Sequence, residues 1–106
     1  MKATVRESVI EQYLVEQVKK LGGKAYKFSS PNNRGVPDRI VVLPTGIIFF
    51  VECKAPGKTL SPLQKLTVDT LVKLRAGVYI ADSKESVNNL VHDLTKIIQR
   101  RQGNAQ

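Results

Sequence analysis

The sequence predicts a small α/β domain in which a mixed sheet is flanked by helices. Three observations carry that reading. Two runs dense in β-branched and aromatic residues, Arg39-Ile40-Val41-Val42-Leu43 and Ile47-Ile48-Phe49-Phe50-Val51, are joined by Pro44-Thr45-Gly46 and form a hairpin. Both faces of that hairpin are apolar, which calls for helices on both sides of the sheet. Segments of helical periodicity precede and follow it, so the order is helix, strand, hairpin, helix, strand, helix.

Thr4 to Leu21 reads as the first helix, ended by Gly22-Gly23. Ile10, Leu14, Val18 and Leu21 form one stripe, widened by Tyr13. Glu7 projects near the centre of that stripe, Glu11 lies at its edge and Glu16 points away. A carboxylate on a buried face needs a partner, although acids are also favoured in a first turn for the helix dipole alone. Lys24 to Ser29 is a plausible first strand, and Ser30 to Pro37 is too rich in turn formers to hold regular structure.

In the hairpin, Pro44 suits the first position of a type I turn and Gly46 the left-handed position that closes a three-residue loop. Ala55-Pro56-Gly57-Lys58 then breaks the strand. Ser61-Pro62-Leu63-Gln64 has Ser at the N-cap, Pro at the first helical position and Gln at the third, which is a capping box. Leu63, Thr67, Thr70, Leu71 and Leu74 give that helix a buried stripe, and Val78-Tyr79-Ile80-Ala81 is a short strand after Gly77. Asp82 and Glu85 read as a capping pair, and Val87, Leu90, Val91, Leu94, Ile97 and Ile98 mark the last helix. The domain is expected to span residues 1–98, with 99–106 a polar, frayed tail.

One hundred and six residues suffice for one core. The formal net charge of +8, from 17 Lys and Arg against 9 Asp and Glu, points to an anionic partner, most commonly nucleic acid. No apolar run is long enough to span a bilayer, and the N-terminus lacks a signal-peptide pattern. The single cysteine, Cys53, lies in a core strand, so the count excludes an intramolecular disulfide and a Cys-based zinc site and fits a reducing cytoplasm. The single histidine, His92, falls on a polar position of the last helix and reads as a surface residue.

The chemistry gathers around the hairpin. If Leu43 faces Ile47, opposed residue numbers share one sum and Asp38 lies across from Glu52, with Cβ atoms roughly 5 Å apart. Lys54 shares their face because side chains alternate with period two. Two ionised carboxylates at that distance repel by about 3 kcal/mol at an effective dielectric near 20. Ile40, Val42, Ile48 and Phe50 share the face, so it is expected to be mostly buried. A divalent cation turns the repulsion into a site, because paired carboxylates are what magnesium or manganese prefers.

Gly35-Val36-Pro37-Asp38, a strand, and then Glu52-Cys53-Lys54 resemble the PD-(D/E)xK nuclease superfamily. Within it the chain resembles a stand-alone VRR-NUC (virus-type replication-repair nuclease) domain of the small phage-encoded type. The likeness spans Glu7 to the last helix and includes Glu7 on the first helix and Gln64 opening the helix after Lys54. The resemblance implies a restriction-endonuclease-like αβββαβ core. It also implies a metal-dependent endodeoxyribonuclease whose cofactor is Mg2+ or Mn2+, with no small-molecule cofactor. Asp38, Glu52 and the Cys53 backbone carbonyl would hold the metal, with the Cys53 thiol on the opposite face. Glu7 would bind it directly, bind through water or help a second ion. Lys54 would orient water and offset charge on the phosphate, either as a base or as a cation. Gln64 is explained by the capping box, and only the resemblance suggests a catalytic part for it.

Lys27, Arg34, Arg39, Lys58 and Lys65 flank the expected site and suit phosphates better than base edges. Family members of this kind act on branched DNA, including four-way (Holliday) junctions. A symmetric junction cut would require a homodimer, associating through the outer face of the first helix (Val5, Val9, Val15) and the exposed side of the last. The readings left open are a nuclease acting on flaps, overhangs or other DNA, and a non-catalytic basic DNA-binding module. The expected setting is the cytoplasm of a bacterial or phage-infected cell.

Overall fold

The computed structural model describes residues 5–104. The chain runs α1 (Glu7–Lys20), β1 (Lys24–Lys27), β2 (Arg39–Leu43), a tight turn (Pro44–Gly46), β3 (Ile47–Cys53), α2 (Pro62–Lys73), β4 (Val78–Ala81) and α3 (Lys84–Asn104). The sheet order is β1-β2-β3-β4. The first three strands are antiparallel neighbours, and β4 joins β3 in parallel. A parallel neighbour requires a crossover, and α2 is that crossover. The element order is the one the sequence predicts.

One face of the sheet carries the core. Val41, Leu43, Phe49, Val51 and Cys53 pack with Ile10, Leu14 and Val18 of α1 and with Val87, Leu90, Leu94 and Ile98 of α3. Those helical positions are three or four residues apart, so each helix lays one stripe on the sheet.

The other face departs from expectation. Ile40, Val42 and Phe50 are only half-buried and Ile48 is 62 % exposed. Among the described helices only α2 lies against it, and none of the residues of α2 is buried. Within its expected stripe, Leu63, Thr70 and Leu74 are exposed, while Thr67 and Leu71 are half-buried. One twelve-residue helix is too small to cover four strands.

Local differences have local causes. α1 begins at Glu7 with Arg6 as N-cap, and Thr4 lies outside the described residues. Thr45 shares the left-handed region with Gly46, at φ of 70° and 80°. The turn is therefore not type I, and a β-branched residue sits where it costs roughly 1–2 kcal/mol. The cap of α3 is formed by Ser83 and Ser86 rather than Asp82 and Glu85: Ser83 Oγ accepts from Ser86 N at 3.0 Å, and Ser86 Oγ accepts from Ser83 N at 3.1 Å. α3 also continues through the stretch expected to fray, ending at Asn104. Gln and Arg are good helix formers, and no Pro interrupts them. Ala105 and Gln106 lie outside the described residues.

Candidate active site

The hairpin register pairs Leu43 with Ile47 and Arg39 with Val51. One step further, Asp38 stands across from Glu52 at the open end of the two strands. Asp38 is fixed twice. Its backbone oxygen accepts from Phe28 N at 2.7 Å, and its Oδ2 accepts from Cys53 N at 2.9 Å.

Glu52 is 1 % exposed, and its Oε2 is buried without a hydrogen-bond partner. An orphaned carboxylate oxygen is expensive in an interior and calls for a proton or a cation. Burial pushes the Glu52 carboxyl up to about 8, helped by its hydrogen bond to Asp38 and the charges of Asp38 and Glu7, while Lys54 pulls it down. The metal-free fold therefore holds a proton that the unfolded chain releases near 4.5. Because the native state binds the extra proton, metal-free stability falls as pH rises from 4.5 through about 8. Melting curves across that window should show the decline, and magnesium in excess should reduce it. Glu52→Gln should flatten it. A melting temperature that climbs with pH in the metal-free wild type would contradict the assignment.

Cys53 completes the strand end from both sides. Its thiol is buried in the core, as the alternation requires, and burial followed by the charges of Asp38, Glu11 and Glu52 pushes it up to about 12. A thiol held there stays protonated at neutral pH. The N–H and C=O of one strand residue point to the same edge, so the Cys53 carbonyl faces the β2 side as its N–H does. Extending the register pairs Cys53 with Pro37, which is fully buried and has no N–H to offer that carbonyl.

Lys54 is half-buried beside Glu52, and its backbone N–H donates to Ala81 O at 2.8 Å. Glu7 opens α1 and is exposed rather than central to the buried stripe, yet it is close enough to Glu52 to act on its proton. Gln64 Oε1 accepts from Ser61 N at 2.9 Å, and Ser61 Oγ accepts from Gln64 N at 3.2 Å, so its side-chain carbonyl is engaged in the capping box.

Among the described residues no cluster of three or more Asp, Glu, His or Cys side chains converges on one point. The chain offers two carboxylates, one of them with an unpartnered oxygen, and a backbone carbonyl. That donor set fits magnesium or manganese, which keep several waters and take few protein oxygens. It does not fit a fully protein-caged ion.

The five basic residues divide. Arg34, Lys58 and Lys65 are exposed. Arg39 and Lys27 are cross-strand partners whose side chains alternate away from Asp38, toward α1. There Glu11 Oε1 accepts from Arg39 at 2.9 Å and from Lys27 at 3.0 Å. The Arg39 side chain is only 17 % exposed and also donates to Ala25 O. Arg39 is therefore a tie between α1 and the sheet rather than a free phosphate contact.

The sequence reading missed that role for Glu11. One turn of helix separates it from Glu7, and the odd-even register of Arg39 was the signal that could have paired them. It also missed why Gly35 is glycine. A Cβ there would lie 2.5 Å from Thr67 Oγ1 and 2.6 Å from Leu63 O, so the loop before Asp38 can approach α2 only without a side chain.

No family model matches the sequence. The "Putative nuclease p44" of Acyrthosiphon pisum secondary endosymbiont phage 1 is 52 % identical over 81 residues, covering 76 % of this chain and 87 % of that protein. A solved structure described as a VRR_NUC domain superposes with a TM-score of 0.78 at 32 % identity, over 81 % of this chain and 94 % of its own. The chain belongs to the VRR-NUC family. The VRR-NUC fold accounts for the mixed sheet with α1 and α3 behind it. Among the described residues no helix is long and apolar enough to cross a membrane.

Proposed function

We propose that this VRR-NUC chain is a metal-dependent, structure-selective DNA endonuclease that hydrolyses phosphodiester bonds in branched DNA, with four-way junctions the favoured substrate. The observation that supports it most is Asp38 and Glu52 held across one strand pair, with a buried carboxylate oxygen left over and Lys54 beside it. Asp38, Glu52 and the Cys53 carbonyl are the groups that would hold Mg2+ or Mn2+. Such an ion, when bound, polarises a phosphoryl oxygen and lowers the pKa of a coordinated water. Lys54 places a cation where charge develops on the phosphate. Glu7, at the start of α1, faces the same region and suits the orientation of water. Arg34, Lys58 and Lys65 serve the backbone of the DNA, which carries no base sequence to be read, while Lys27, like Arg39, is tied to Glu11.

Symmetric resolution of a junction needs two sites, and one chain carries one. We place the second copy against the open sheet face at the end away from Asp38. There Ile48 is joined by Val72 and by Leu74, which is 74 % exposed. On the outer face of α1, Val5 and Val9 are exposed but Val15 packs against the core. Light scattering at micromolar concentration should give a two-copy mass for the wild type and a one-copy mass for Leu74→Glu. A single-copy mass with and without junction DNA would remove symmetric resolution while leaving the nuclease.

Cleavage of four-way junctions, flaps, overhangs and linear duplex side by side, in magnesium or manganese, tests the substrate. Junctions should be cut fastest, and affinity should fall steeply with salt because several phosphates are neutralised on binding. A flat salt response, or tight binding to one short duplex sequence without cleavage, would favour a binding module.

A further inference from the structure

A cavity of about 410 Å³ lies between the sheet and α2, and its lining includes Phe28, Phe50, Val36, Leu63, Asn33 and Thr67. Its size falls in the range of sites that take small planar molecules. Its position is tied to the carboxylates by both strands that carry its rings. Phe50 precedes Glu52 by two residues on the same face, about 7 Å along the strand. Phe28 donates its backbone N–H to Asp38 O at 2.7 Å. The two rings, with centroids 5.8 Å apart and planes inclined at 39°, form a half-open apolar floor. The α2 side is largely aliphatic, with Leu63, Leu66 and Leu71, and carries a polar edge where Thr67 Oγ1 lies 3.4 Å from Asn33 Oδ1; the exposed Arg34 follows Asn33 in the same loop.

An aromatic floor, an amide and a hydroxyl at its edge, and an adjoining basic loop make a receptor for a flat, polar-edged ring attached to an anionic chain. A nucleobase is that ring. Within continuous duplex every base is paired and stacked, whereas at a branch, flap or unpaired end one can leave the stack cheaply. We propose that this cavity receives one unstacked nucleobase beside the phosphodiester that is cut. The base stacks on Phe28 and Phe50 with its edge toward Asn33 and Thr67. This capture makes the site prefer branched or unpaired DNA to continuous duplex. The selection is tolerant of sequence, because every base presents a π-face. The inference rests on the nuclease reading and deepens it by naming what the site recognises in its substrate.

The test uses the intact protein and a branched substrate whose cut site has been mapped. A single abasic (tetrahydrofuran) residue is moved through the nucleotides flanking that phosphate, and single-turnover rates are measured in magnesium or manganese. At one position the missing base should slow cleavage about 5- to 150-fold, the loss expected for one aromatic stack, with little change elsewhere. Phe28→Ala should slow the intact substrate to the same degree and slow the sensitive abasic substrate no further. Equal rates at every abasic position would overturn the proposal, even if Phe28→Ala does not fold. So would a Phe28→Ala variant that slows both substrates alike. Such a loss accompanied by a fall from two copies to one in light scattering would assign the cavity to a second chain instead. Failure of the wild type to cut any intact DNA would overturn the nuclease reading itself, a result distinct from cutting that ignores the missing base.

Discussion

Asp38→Asn and Glu52→Gln should each abolish cleavage, by on the order of a thousandfold or more in turnover, while DNA still binds. Both substitutions keep shape and hydrogen-bonding atoms, so the fold has little to lose. Asp38→Asn keeps an oxygen that can still accept from Cys53 N–H. Glu52→Gln replaces a buried acid, which burial and Asp38 already force to hold a proton, with a neutral amide. The metal-free variants should therefore melt at or above the wild-type temperature near pH 8. Magnesium should stabilise the wild type but neither variant, because the oxygens left behind are poorer ligands for a hard cation. Turnover in magnesium close to wild type, for either variant, would show that the metal is held elsewhere.

Lys54→Ala carries the second largest effect, a loss of about 100-fold or more in turnover with metal affinity nearly unchanged. The split between those two quantities decides the role. Lys54 enters the sheet through its backbone bond to Ala81 O, so truncating the side chain leaves the strand end in place. Its charge lowers the Glu52 carboxyl, so removing it should strengthen proton retention there and shift the pH profile of cleavage upward. Lys54→Arg should restore part of the electrostatic effect but not a specific proton transfer, separating the two possible parts of the residue. Weakened metal binding with unchanged saturated turnover would contradict a part for Lys54 at the reacting phosphate.

The hairpin was legible because a three-residue loop fixes register by arithmetic: once Leu43 faces Ile47, every later pair follows. The core stripes of α1 and α3 were legible for a similar reason, since periodicity alone selects Ile10, Leu14 and Val18, or Leu90, Leu94 and Ile98. What the sequence concealed depends on contacts distant in the chain. Nothing near Arg39 says that Glu11, 28 residues earlier, will neutralise it. Nothing within α2 says that its leucines will remain exposed, since amphipathic spacing shows that a helix has an apolar face but not how much sheet lies under it. The competing caps of α3 sit one residue apart, and Asp82 and Ser83 cannot be ranked without their hydrogen bonds. Thr45 was hidden because a non-glycine residue at φ 70° contradicts local preference and is held there by the surrounding structure.

Asp38, Glu52 and Lys54 all enter through a single hairpin closed by Pro44-Thr45-Gly46. Loop closure over so short a span is rapid, and hairpins form within about 1–10 μs. The repelling carboxylates are thus brought together early, before α3 has been packed behind them. If the pair holds a divalent cation as proposed, the cation present during refolding should act on the assembly of the chain as well as on the finished protein, relieving the repulsion as the strands meet. On that reading the geometry proposed for cutting DNA should also make the folding rate depend on the divalent ions in the surroundings.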